Sequence, residues 1–448
     1  MSPKGDGKHV VADALSTPSE PPPVEERARA GDPRFPLLDS LRAIAAISVV
    51  VGHASFLSGI HSVPGIGAYT SRLDIGVAVF FLLSGFLLYR PFVLARFRHV
   101  PALDTKEFAR RRLLRIVPAY WLALSVLGIY PGLPGDWIKH WWVYYGFLQV
   151  YADNKYVHGG IGAAWTLCVE MTFYLALPFF AKGMNRLLGS LDLRQAVRRE
   201  LGILVALGVT SLAFRVVVRL QGIPLNWLNT TLPAFLAWFA LGMGVAVCSA
   251  AAQESGRQFR SFEWIRRFPL LCWVVAGVLF WLLCTQVTLP KGTKPTDLNG
   301  IWTLQHLLYG LVSFFFVLPA MIGDDGGGLP RRILSWRWLA WLGLISYGIY
   351  LWHLPLLSAF WRPVFRWLIV TGAGSWMPGG SFFPLFTVSM AVTISCAALS
   401  YYLVERPLLR FKRRAKDARG ESRVEKQADQ ASTPGDAGLV LDQPVAHD

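Results

Sequence analysis

Charge is scarce in this 448-residue chain: Lys, Arg, Asp and Glu make up 16% of it, while 53% of the residues are hydrophobic. Soluble domains carry roughly 25% charged residues, so neither a disordered chain nor an ordinary soluble enzyme fits. Cysteine is sparse too. Cys168, Cys248, Cys272, Cys284 and Cys396 all fall in apolar segments with no CxxC spacing, which leaves a disulfide framework or a zinc ribbon without support, and no metal site is expected. The first 36 residues lack an apolar run ahead of a small-residue cleavage site and so do not form a cleavable signal peptide. The net charge is +16, but basic residues in an apolar chain with 18 tryptophans mark loops facing anionic lipid, so no nucleic-acid partner is expected.

Apolar segments recur almost without interruption from Leu41 to Val404. A domain count from length alone would suggest three units, yet one membrane domain over 37–410 is the better account. Proline-rich, mixed-charge residues 1–36 and the polar stretch 411–448 read as disordered cytoplasmic tails. Between them lie ten apolar spans, near 40–59, 74–94, 113–130, 164–181, 201–218, 232–250, 269–288, 301–322, 338–360 and 382–404. Most reach the ~20 residues that cross ~30 Å of hydrocarbon, where the backbone has to be helical. The expected fold is therefore all-α, a polytopic membrane helix bundle of about ten transmembrane helices. Residues Trp137 to Tyr151 are aromatic throughout and carry Lys139 and His140, which suits an interfacial or re-entrant helix better than a crossing.

Ten crossings place both termini on one side. With the termini cytoplasmic, inner segments hold 35 of the 44 Lys and Arg, outer segments hold eight, and Arg215 lies within a span. That asymmetry assigns both termini to the cytoplasm.

Ionisable residues within spans cost about 3 kcal/mol each on insertion scales unless they find a partner or water, so they mark sites. In the first span Arg42 and His53 are eleven residues apart, within ~20° of one helix face and ~16 Å along the axis. Helix rise counted from the span ends puts Glu170 ~8 Å below the outer surface and His353 ~22 Å above the inner one, in the same outer layer as His53. The three are expected to meet there. At the cytoplasmic start of the third span, Arg112 and Arg115 stand one helical turn apart, a spacing that suits bidentate grip on phosphate. A ligand with phosphates at that mouth and a reactive end at His53 is long and thin, like a coenzyme A thioester.

At these residues the chain resembles the multi-pass membrane enzymes of acyltransferase family 3, which O-acylate sugars, envelope polymers, lipids and some antibiotics. The matching features are Arg-x10-His (Arg42, His53), FFLLSGFLLYRP, RRLLRIVPAYW, WTLCVEMTFYLALP, SYGIYLWHLP and YYLVERP, in order from residue 38 to residue 408. Each alone is weak, and the ordered set is specific. Two positions depart from the pattern: Ala78 and Met171 stand where similar proteins often have acids. A stand-alone membrane domain without a fused hydrolase-like domain is expected.

The resemblance implies an acyltransferase that moves an acyl group, acetyl among the candidates, from acyl-CoA to a hydroxyl of a sugar, an envelope glycolipid or polymer, or a secondary metabolite. His53 would be the general base and Glu170 its orienting partner. Arg42, Arg112 and Arg115 would bind the acyl-CoA. His353, Ser346 and Tyr174, within the matching motifs, are further candidates. No cofactor is expected beyond acyl-CoA as donor substrate, and the other partners are the hydroxyl-bearing acceptor and membrane lipids. Plainer roles compete at each position: His53 as a packing histidine, the arginines as topological anchors, Glu170 as a counter-charge, His353 as an interfacial residue, and His306, Arg215 and Arg219 as snorkelling or helix-contact residues. No Asp-His-His-Cys occurs, which excludes the palmitoyl-transfer class. A lipid or polysaccharide transporter is the alternative, although no second copy of the Arg-x10-His helix marks an inverted repeat.

Overall fold

Backbone polar groups surrounded by hydrocarbon have to bond within their own segment, and the chain answers with helices and turns, with no strand among the described residues. The computed structural model describes residues 35, 37–101, 103–221, 228–256, 260–287, 299–322, 327–371 and 381–408. Nearly all of both expected tails lies outside these residues. We number the apolar helices α1 (Leu37–Ser58), α2 (Gly76–Phe97), α3 (Thr105–Ile129), α4 (Trp165–Leu188), α5 (Leu193–Leu220), α6 (Leu232–Ser255), α7 (Pro269–Thr285), α8 (Asn299–Met321), α9 in two arms (Arg337–Leu344 and Ser346–Thr371) and α10 (Phe382–Ser400). Eight spans qualify as membrane crossings by length and composition, a ninth does so when the two arms of α9 count as one, and α7 is a shorter apolar helix of 17 residues. These are the ten segments expected, in a polytopic helical bundle.

Local chemistry sets the helix starts. Asp104 caps α3 by accepting from the backbone N–H groups of Lys106 and Glu107, and Asp192 caps α5 by accepting from Gln195 N–H at 2.7 Å. Proline in the first turn opens α6 and α7, where its missing N–H costs nothing. The aromatic stretch after α3 does not cross: it folds as two short helices, Trp141–Tyr145 and Gln149–Ala152, with Trp141 and Trp142 exposed.

Helix α2 is mostly buried and crosses α6 so closely that two glycines are required. A Cβ on Gly85 would sit 2.3 Å from the Phe239 carbonyl oxygen, and one on Gly242 2.0 Å from that of Leu82. Phe81 and Phe173 stack on the two sides of Phe239 at this crossing. Near its C-terminal end, α2 sends Tyr89 and Arg96 to Glu200 of α5, whose carboxylate is fully buried. Removing one member of such a pair leaves a buried charge without compensation. Glu200→Ala is therefore expected to destabilise the bundle by about 3–5 kcal/mol, read as a lower unfolding temperature in detergent.

The ninth span departs from the straight helix assumed above. Its two arms meet at 70° around Ile345, and Ser346, at the bend, donates to the Gly343 carbonyl oxygen at 2.8 Å. The short arm packs so tightly on α1 that a Cβ on Gly343 would lie 1.9 Å from the Asp39 carbonyl oxygen. Counting rise from Trp338 therefore overstates the depth of His353, because the long arm begins at Ser346.

Orientation rests on the basic residues and has a direct test. A cysteine placed at exposed Asn154 should react with a membrane-impermeant thiol reagent in intact cells, while one at exposed Ser335 should be protected. Labelling of Ser335→Cys alone would invert the topology.

Candidate active site

Arg42 and His53 lie on α1 as expected, but they open into two different chambers. The inner chamber, about 100 Å³, is lined by Arg42, Arg112, Arg115, Glu170, Tyr174 and Ser346. The outer chamber, about 590 Å³, is lined by His53, Arg72, Asp74, Arg215, Arg219 and His306, among others. Val77, Thr166 and Tyr350 line both. The wall between the chambers is thus one side chain thick, and hydrogen bonds close it: the Thr166 and Tyr350 hydroxyls are 2.7 Å apart, and each lies 3.1 Å from the Ala163 carbonyl oxygen.

His53 faces the outer chamber, and His353 stands behind it, fully buried. The two rings are tilted, with centroids 5.1 Å apart, and His353 Nε2 lies 3.1 Å from His53 Nδ1. On its other side His353 Nδ1 is 2.8 Å from the Tyr350 carbonyl oxygen. A carbonyl only accepts, so His353 Nδ1 carries the proton and, in the neutral ring, Nε2 accepts. His53 Nδ1–H must then donate, leaving the lone pair of His53 on Nε2. A residue from α9 thus fixes the tautomer of a residue from α1, leaving Nε2 as the basic nitrogen of a ring that lines the outer chamber.

Glu170 does not take that position. Its carboxylate accepts from the hydroxyls of Ser84 and Tyr174 and lines the inner chamber with the arginines. The expected meeting of three ionisable groups is therefore a meeting of two, His53 and His353. The depth count for Glu170 started from Trp165 as a surface residue. Instead Ile161, Ala163 and Ala164 are all buried, so the start of α4 is covered by other parts of the chain and Trp165 does not mark a surface from which depth can be counted.

Of the inner arginines, Arg42 donates to Asp39 Oδ1 at 2.6 Å and keeps its place at the chamber wall. Arg112 lies over the Phe108 ring at 5.8 Å, and its buried Nε has no hydrogen-bond partner. Ser346 and Tyr174 line the same chamber. Three guanidinium groups line the chamber against the carboxylate of Glu170, and with Arg42 also paired to Asp39 the three cations still exceed the two acids, which leaves a concave, electropositive site suited to a polyanion.

From the sequence, Thr166 and Tyr350, which build the wall, had no role, and Arg215 and Arg219, which line the outer chamber, had only snorkelling or helix contacts. Tyr350 precedes His353 by one turn, and Arg215 is a cation inside a span; those were the available signals. Among the described residues no group of three or more His, Cys, Asp or Glu could hold a metal ion.

A family of acyltransferase domains, acyltransferase family 3, matches residues 35–402, and the chain belongs to it. Similar proteins include the peptidoglycan O-acetyltransferase OatA of Listeria monocytogenes, 25% identical over 83% of this chain and 55% of that protein. The putative peptidoglycan O-acetyltransferase YrhL of Bacillus subtilis is 25% identical over 84% of this chain and 55% of its own length. The O-acetyltransferase OatA of Staphylococcus aureus is 22% identical, over 84% and 57% respectively. The chain spans about half the length of these curated relatives. No solved structure matches it.

Proposed function

We propose that this protein is a membrane O-acyltransferase that carries an acyl group, acetyl in the first instance, from acyl-CoA to a hydroxyl of a cell-envelope glycan. The observation that carries the proposal is the pair of chambers sharing one wall, with a polyanion site on one side and a tautomer-fixed imidazole on the other. Family membership and relatives named as peptidoglycan O-acetyltransferases support the same chemistry.

In this mechanism Arg42, Arg112 and Arg115 hold the phosphates of the donor. Its thin pantetheine arm passes the wall where Tyr350 and Thr166 meet and brings the thioester to His53. His53 Nε2 takes the proton from the acceptor hydroxyl as that oxygen attacks the thioester carbonyl. The C–S bond breaks, an ester forms, and the thiolate leaves with the proton returned from the imidazolium. His353 Nε2 accepts from His53 Nδ1–H throughout, steadying the ring as positive charge develops. Glu170 acts one chamber away, as a counter-charge to the arginines. The transporter alternative gives no reason to hold an imidazole pair in one tautomer.

Membranes containing the full chain, incubated with acetyl-CoA labelled in the acetyl group, should pass label to envelope glycan in a chain-dependent manner. No transfer from any acyl-CoA would remove the proposal. Donor binding has its own test. Lysine keeps charge but loses the guanidinium fork, so Arg112→Lys with Arg115→Lys is expected to raise the apparent acyl-CoA KM about tenfold with normal membrane insertion. Unchanged donor kinetics would mean that the pair only anchors the topology.

A further inference from the structure

A second cavity of about 590 Å³ lies along α5, α6 and α8, lined almost wholly by apolar side chains. It shares Trp238 and His306 with the outer chamber. These two rings stack at 4.2 Å, and Trp238 Nε1–H donates to the His306 carbonyl oxygen at 3.0 Å, so the groove and the chamber adjoin across one pair of side chains.

One face of α5 serves both. Leu201, Val205, Gly208 and Leu212 line the groove, and the next two positions on the same stripe, Arg215 and Arg219, line the chamber. The spacing alternates four and three residues, which keeps all six side chains on one side of the helix. The stripe is therefore apolar over its first four positions and doubly cationic where it reaches His53's cavity.

The two arginines are costly as they stand. Arg215 is only 8% exposed, its buried Nε has no hydrogen-bond partner among the described residues, its Nη1 donates to the Asn229 carbonyl oxygen at a long 3.4 Å, and its guanidinium lies over the Phe235 ring at 5.6 Å. Arg219 lies over the Trp302 ring at 4.7 Å. Neither is ion-paired to a carboxylate among the described residues. Asp74, the acid in the chamber, accepts from Tyr309 at 2.6 Å. Two like charges one turn apart within a membrane bundle call for an anion.

We propose that the acceptor is a phosphate-bearing lipid: its apolar tail lies in the groove along α5, its phosphate on Arg215 and Arg219, and its hydroxyl-bearing head beside His53. Charge complementarity and the shared Trp238–His306 boundary of groove and chamber select this occupant over a neutral lipid, which leaves the arginines uncompensated, and over a free soluble glycan, which leaves the groove without a purpose. The role of the head rests on the acyl-transfer function proposed above; the binding of tail and phosphate does not.

The test uses the full chain purified in detergent, with binding read by quenching of tryptophan fluorescence, since Trp165, Trp238 and Trp302 line the chamber. Three probes separate the contributions: a polyprenyl phosphate, the corresponding polyprenol, and inorganic phosphate. The polyprenyl phosphate should bind at least about tenfold more tightly than either of the others. Arg215→Gln with Arg219→Gln should remove that preference. Gly208→Phe, which fills the groove, should weaken the polyprenyl phosphate and leave inorganic phosphate unaffected. Arg366→Gln, an exposed cation outside the chamber, removes one positive charge elsewhere and should change nothing. Equal binding of polyprenol and polyprenyl phosphate, or a preference that survives the double arginine substitution, would overturn the proposal and leave the groove to bulk lipid. Absence of acyl transfer with these binding results intact would overturn the function and spare the lipid site. Transfer to a soluble glycan with an acceptor KM unaffected by the double substitution would do the reverse.

Discussion

His53→Ala should lower turnover about 10²- to 10⁴-fold while expression and membrane insertion stay normal. The size of the effect follows from what the imidazole supplies. A hydroxyl is a poor nucleophile until its proton has somewhere to go, and a neutral imidazole with a free ring nitrogen accepts it. The residue lines a cavity large enough for an acceptor, its Nδ1 is committed to His353, and its Nε2 is the remaining basic atom. A packing histidine would leave a different signature: alanine would cost stability through the lost contact, and glutamine, which restores volume and hydrogen bonding but cannot accept a proton, would recover it. His53→Gln separates the two roles, because it should fold normally and remain as inactive as alanine. Near wild-type acyl transfer by a well-folded His53→Gln protein would remove the mechanism.

Much of this was legible in the sequence because hydrocarbon tolerates so few solutions. Length and hydropathy identify the ten apolar helices, since a span with unsatisfied backbone groups is not an option. The break at Ile345 was not legible: the two arms of α9 read as one apolar run, and the bend depends on the close approach of Gly343 to the Asp39 backbone, a contact between residues 304 positions apart. In the site, the Arg-x10-His spacing put Arg42 and His53 on one helix, and both lie on α1. It could not show that they open into separate chambers, because the Thr166–Tyr350 wall is built by α4 and α9. Glu170 was misplaced for a similar reason. Depth along a helix is read from its ends, and the start of α4 is covered by other parts of the chain. The partner of His53 was nonetheless among the candidates, as His353. What sequence alone could not supply was the Tyr350 carbonyl that fixes its ring.

In the proposed mechanism that carbonyl makes His353 a positioning residue, and its loss is expected to cost almost as much as that of His53. His353→Leu keeps a buried apolar volume but removes the acceptor for His53 Nδ1–H, so the ring of His53 is free to rotate and to adopt the tautomer with its lone pair on Nδ1. The imidazolium formed during transfer also loses its hydrogen-bond partner. Turnover is expected to fall about 10²-fold, with donor and acceptor KM values little changed, because the loss falls on the transition state and not on binding. Glutamine offers a side-chain carbonyl that can accept where Nε2 did, so His353→Gln should restore a substantial part of the rate. A purely structural His353 predicts another pattern: both variants would lower the unfolding temperature, and the activity of the surviving folded fraction would match wild type. Measuring kcat per folded molecule for the two variants decides between them, and equal rates for His353→Leu and wild type would detach His353 from the chemistry of His53.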